Sequence, residues 1–104
     1  MATSKEYMAF ILDQLSLIDG ISHRMMMGEY IVYIDGKIIA YVCDDRLLVK
    51  PTKTALKILT DAPLEPPYDG AKPMILVENV DDKQFLKDLF EKISPELPAP
   101  KKKK

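Results

Sequence analysis

The stretch Tyr30-Ile31-Val32-Tyr33-Ile34-Asp35-Gly36-Lys37-Ile38-Ile39-Ala40-Tyr41-Val42 decides how this chain is read. Two runs of β-branched and aromatic residues flank Asp35-Gly36, a pair that tolerates the positive φ which a two-residue type I′ turn requires at both positions. A β-hairpin is predicted. The two-residue loop sets Ile34 opposite Lys37, Val32 opposite Ile39 and Tyr30 opposite Tyr41, with Ile31, Tyr33, Ile38, Ala40 and Val42 on the other face. Both faces are largely apolar, so the hairpin is either covered on both sides or keeps one surface for a partner. Ala40 leaves room for a helix to approach. The expected outer face is therefore that of Tyr30, Val32, Ile34, Ile39 and Tyr41, a contact surface for a protein partner or a second copy of the chain.

Outward from the hairpin, Ile21 to Lys50 reads as short strands punctuated by Gly28, Asp35-Gly36 and Asp44-Asp45, with Arg46 to Lys50 the last of them and Pro51 its stop. Before it, Thr3-Ser4-Lys5-Glu6 has the T-x-x-E form of a capping box. Tyr7, Met8, Ile11, Leu12, Leu15 and Ile18 then give one apolar stripe of an amphipathic helix that Gly20 is placed to end. Thr52 is set to cap a short helix carrying Ala55, Leu56 and Leu59. Residues 61–73, with four prolines and Gly70, read as an irregular loop. Met74-Ile75-Leu76-Val77 suits a buried strand. Asp81 with Gln84 forms a second capping box before the stripe Phe85, Leu86, Leu89, Phe90 and Ile93 of a last helix.

The chain of 104 residues is long enough for one core, with 47% apolar and 30% charged residues, the balance of an ordinary globular domain. No apolar run approaches the roughly 20 residues that span a bilayer, and the N-terminal residues lack the order of a secretory signal. Cys43 is the single cysteine, so a disulfide framework is absent and a cytoplasmic location is expected. Outside Lys101, Lys102, Lys103 and Lys104 the chain has eleven basic and sixteen acidic residues, a charge of −5. That body repels a phosphate backbone, so any nucleic-acid contact is expected to be weak and confined to the lysine tail.

Chemistry-bearing motifs are sparse. His23 is the only histidine and has no nucleophile motif beside it. Cys43 sits in an apolar strand followed by two aspartates, a setting that disfavours a thiolate. One histidine and one cysteine fall short of a zinc site, and Asp44, Asp45 and Glu29 lack a calcium-loop pattern. The four glycines are scattered, so no phosphate loop exists. Met25, Met26 and Met27 alternate across a strand and cannot converge on one ion; core filling beside a partner-facing methionine is expected instead. No catalytic residue, cofactor or metal is expected.

Gly28-Glu29-Tyr30, Tyr33, Asp35-Gly36-Lys37, Cys43-Asp44-Asp45-Arg46-Leu47, Val49-Lys50-Pro51-Thr52 and Pro66-Pro67-Tyr68-Asp69-Gly70-Ala71-Lys72-Pro73 resemble, in order and spacing, the N-terminal domain of the TfoX/Sxy competence regulators. Met27 departs from the aromatic residue usual before the glycine, and the second, C-terminal domain of full-length regulators has no counterpart in this sequence. The resemblance implies an α+β fold in two layers. An antiparallel sheet of about five strands would pack on helices in the order α-β-β-β-β-α-β-α, similar to type III secretion chaperones, with residues 1–97 as the domain and 98–104 as a flexible Pro/Lys tail. It also implies a regulatory or protein-interaction module without established catalytic residues. The alternative is a ligand-binding or enzymatic domain built on the charged positions of the motifs, Arg24, Glu29, Asp45, Arg46, Lys50, Tyr68 and Lys72. Set against that alternative, and preferred to it, is the reading that those residues form ion pairs and turn contacts that fix the sheet and the long loop.

Overall fold

The computed structural model describes residues 3–26 and 28–98; Met27 and the lysine tail of the sequence reading lie outside them. Helix α1 (Lys5–Gln14) leads into strands β1 (Ile21–Met26), β2 (Glu29–Ile34), β3 (Lys37–Cys43) and β4 (Arg46–Val49). Helix α2 (Lys53–Ile58), strands β5 (Leu64–Glu65) and β6 (Met74–Val77), helix α3 (Lys83–Ile93) and a 3-10 turn (Ser94–Glu96) complete the chain. The fold is α+β: an open antiparallel sheet of six strands in the order β1-β2-β3-β4-β6-β5, with the helices on one side. The sixth strand is β5, which pairs Leu64 with Ile75 and Glu65 with Met74 inside the segment expected to be all loop.

Local chemistry sets the ends of the elements. Ser4, one residue later than expected, caps α1 by accepting from the Tyr7 amide at 3.1 Å. Asp82 rather than Asp81 caps α3 by accepting from the Phe85 amide at 3.0 Å, while Thr52 caps α2 as expected. Helix α1 stops at Gln14, well before Gly20, but Leu15 and Ile18 stay buried in the turns that follow. Asp35 and Gly36 both have positive φ, as do Asp44 and Asp45, so two type I′ turns in succession fold β2, β3 and β4 onto one another.

The core lies between the sheet and the helices. Met8 and Ile11 of α1 with Leu15 just after it, Ala55 of α2 and Leu86, Leu89, Phe90 and Ile93 of α3 pack on Val32, Ile34, Val42, Leu47, Val49, Ile75 and Val77. The face assignment made from the hairpin is thereby corrected. Val32 and Ile39 are 0% exposed and Ile34 is buried, with Tyr30 packed against them, so this face is covered by helices and offers no partner surface. The reason is a β-bulge. Val32 pairs with Ala40 but Tyr33 pairs with Ile38, which leaves Ile39 as an extra residue in β3. Ile39 and Ala40 both enter the helix-side core, and Tyr41 comes opposite Ile31 instead of Tyr30. One extra residue inverts every side chain beyond it.

Candidate functional site

The helix-free face of the sheet is divided in two. Leu48 of β4, Cys43 of β3 and Met74 of β6 form a small second core there, flanked by Tyr41 and Leu76. The cover comes from the proline-rich loop. Strand β5 lies at the sheet edge, three strand positions from β3, yet Tyr68 stands against Tyr41 with ring centroids 6.4 Å apart. At about 4.8 Å per strand the loop must fold back some 14 Å over β6 and β4 to make that contact. The guanidinium of Arg46 holds the loop's near end by pairing with Glu65, and donates through Nε to the Cys43 carbonyl at 3.2 Å. The rest of the face, over β1 and β2, is less covered by the described residues: Ser22, Arg24 and Met26 of β1 are exposed and Tyr33 half-buried, while Ile31 is buried.

A pocket of about 460 Å³ opens between the loop and strands β1 to β3 on this face. Met26, Ile31, Tyr41, Cys43 and Tyr68 give it an apolar lining, and Glu29 stands on its wall. Glu29 is fixed from behind: its Oε1 accepts from the Thr3 hydroxyl at 2.8 Å and from the Asp44 amide at 3.1 Å. The Thr3 hydroxyl, released from the capping role expected of it, also lies 3.2 Å from the Val42 carbonyl, and Asp45 accepts from the Ser4 amide at 2.9 Å. These contacts hold the strained Asp44-Asp45 turn in place and tie the start of α1 to β2 and β3.

The pocket's electrostatics disfavour nucleophilic chemistry. Burial, then the Glu29 carboxylate and Asp44, against the opposing pull of Arg46, push the Cys43 thiol up to about 11. Burial also raises Tyr41, helped by Tyr68, Tyr33 and Cys43. At neutral pH both groups are uncharged. Among the described residues no group of His, Cys, Asp and Glu could hold a metal ion, and no helix is long and apolar enough to cross a membrane.

Of the charged positions singled out from the sequence, Glu29, Asp45 and Arg46 meet in the network around the Asp44-Asp45 turn, and Tyr68 reaches the pocket. Arg24 and Lys72 are exposed and Lys50 half-buried, and no hydrogen bond or ion pair of the described residues joins their side chains to that network. Of the expected contact surface only Tyr41 lies on the open face. Met26, Ile31 and Cys43 are pocket residues that sequence reasoning did not group; the signal available was the methionine expected to face a partner. His23 packs its ring near Tyr30, centroids 6.1 Å apart, away from the pocket.

Sheet, helices and strap-like loop define a small α+β domain with one half-open sheet face. The chain belongs to the TfoX N-terminal domain family, whose family model matches residues 13–91. It is also similar to a Spirochaeta aurantia protein described as an uncharacterized 12.7 kDa protein in the trpE 5′ region. The two are 34% identical over 105 residues, covering all of this chain and 91% of that one. No solved structure matches significantly.

Proposed function

We propose that the chain is a non-enzymatic regulatory domain of the cytoplasm, akin to the N-terminal domain of competence regulators, that acts by binding a protein through the helix-free face of its sheet. The observation that carries this reading is the apolar pocket on the helix-free face, bordered by Tyr41 and by Tyr68, which is 59% exposed. Tyrosines at a rim bury large area at low entropic cost, which suits an interface. Catalysis is a poor fit because the pocket's thiol is held protonated up to about 11. The same volume lies within the roughly 300–1,000 Å³ of small-molecule sites, so a ligand-binding role without catalysis is the second reading.

A photo-cross-linking amino acid placed at Tyr68 separates them. In the native cell it should yield a discrete protein adduct, while the same group at Phe10 or Leu17, exposed on the helical side, should not. Adducts from the helical side alone would overturn the protein-binding surface. Absence of any protein adduct, with a small molecule copurifying, would favour the second reading.

A further inference from the structure

We infer that the pocket between Glu29, Tyr41 and Tyr68 is a site for an organic ammonium cation. This deepens the reading above by naming the chemistry that the pocket grips. Its walls are of three kinds. Tyr41 and Tyr68 stand 6.4 Å apart with their rings inclined at 60°, two adjoining aromatic walls of the kind that attract an ammonium group through the ring quadrupole. Met26 and Ile31 add polarizable, apolar surface that suits the alkyl part of such a cation rather than a hydrated metal ion.

The third wall supplies the charge. Both hydrogen bonds that fix Glu29 fall on Oε1, so the carboxylate is held rigid while Oε2 keeps its acceptor capacity for a ligand. Of the neighbouring cations, Arg46 is already paired with Glu65 and bonded to the Cys43 carbonyl. Arg24 lies opposite Ile31 on β1, exposed and outside the pocket lining. The local balance around the pocket is thus acidic, with Asp44 and Asp45 in the turn beside it. A neutral apolar group would fill the volume but leave the carboxylate without a partner. For a metal ion the described residues bring no group of three His, Cys, Asp or Glu together.

The test uses the full chain with ring-labelled tyrosine. The chain has five tyrosines, and Tyr7, Tyr30 and Tyr33 lie outside the pocket and serve as internal references. Choline is compared with its neutral isostere 3,3-dimethyl-1-butanol, and the peptide acetyl-Gly-Lys-Gly-amide with its norleucine counterpart. Resonances of Tyr41 and Tyr68 should move with a cation and not with its isostere, with a preference of roughly threefold to tenfold. A response to choline alone assigns a free small ammonium ligand; a response to the lysine peptide assigns a side chain of a protein partner. Glu29→Gln, which keeps the hydrogen bonds from Thr3 and Asp44, should erase the preference, and Tyr68→Leu should reduce it. Equal affinity for cation and isostere, or no movement in either cation arm, overturns the inference. A Tyr68 cross-link to protein that persists in that case leaves the protein-binding reading standing.

Discussion

At Gly20 two demands meet in one residue. Its φ is +80°, and a Cβ built there would lie 2.2 Å from Oδ1 of Asp35, whose amide donates to the Gly20 carbonyl at 2.9 Å. Gly20→Ala should therefore cost at least about 1 kcal/mol from the backbone alone, and more from the clash. Asp35→Gly removes the clashing side chain. In a double-mutant cycle followed by urea unfolding, the cost of Gly20→Ala should shrink in the Asp35→Gly background, and additive losses would contradict the contact. Cys43 gives a pH-dependent prediction. The unfolded thiol ionises near 9.0 while the folded one keeps its proton to about 11, so the folded state binds more protons in that window and stability falls as pH rises through it. Tyr7 and Tyr41 are also raised, but from 10.0, so the interval from 9 to 10 belongs chiefly to Cys43. Cys43→Ala should flatten the decline of the urea midpoint there. An unchanged slope would mean that the thiol is more accessible than its burial indicates.

Among the elements, β3 settles which side of the sheet faces what. Because Ile39 is an extra residue, Val32 faces the helices while Tyr41 faces the open side, although regular alternation would put them together. Val32→Lys places an unpaired charge in a site with 0% exposure and should abolish cooperative thermal unfolding. Tyr41→Glu, at the half-open pocket, should retain the parental far-UV dichroism and a single transition. The reverse pattern would put the helices on the Tyr41 face. The helices themselves are fixed by single side-chain caps at Ser4, Thr52 and Asp82, and Glu96 links the first turn of α2 to the 3-10 turn. Hydrogen bonds from Thr54 hold the Glu96 carboxyl below its ordinary value.

Across the whole molecule protection is uneven. Strands β3, β4 and β6 lie inside the sheet, with helices on one face and, over β4 and β6, the loop on the other. Strand β1 is an edge strand whose residues Ser22 to Met26 are all exposed. Native-state hydrogen exchange should show β1 opening at a free energy well below that of global unfolding, with the amides of β3 and β4 exchanging last. Equal protection of β1 and β4 would mean that something covers the edge and its methionines in solution, as a strand-pairing partner would.

The sequence by itself determined the elements and their kinds. Periodicity, turn chemistry and capping residues act within a few positions of one another, so the Asp35-Gly36 hairpin, the two longer amphipathic helices and the buried strand Met74–Val77 were all legible, with caps displaced by a single residue at Ser4 and Asp82. The family motifs were legible for the same reason, being runs of adjacent residues. Tertiary structure alone decided which hairpin face the helices cover, because a bulge at Ile39 depends on how β2, β3 and the helix layer pack together and leaves no mark in the apolar pattern. It also decided the site. Tyr68 meets Tyr41 only because a loop anchored at Glu65 and Arg46 crosses two strands. Glu29 is held in place by Thr3 from ahead of α1, a contact over 26 positions that no local rule reaches.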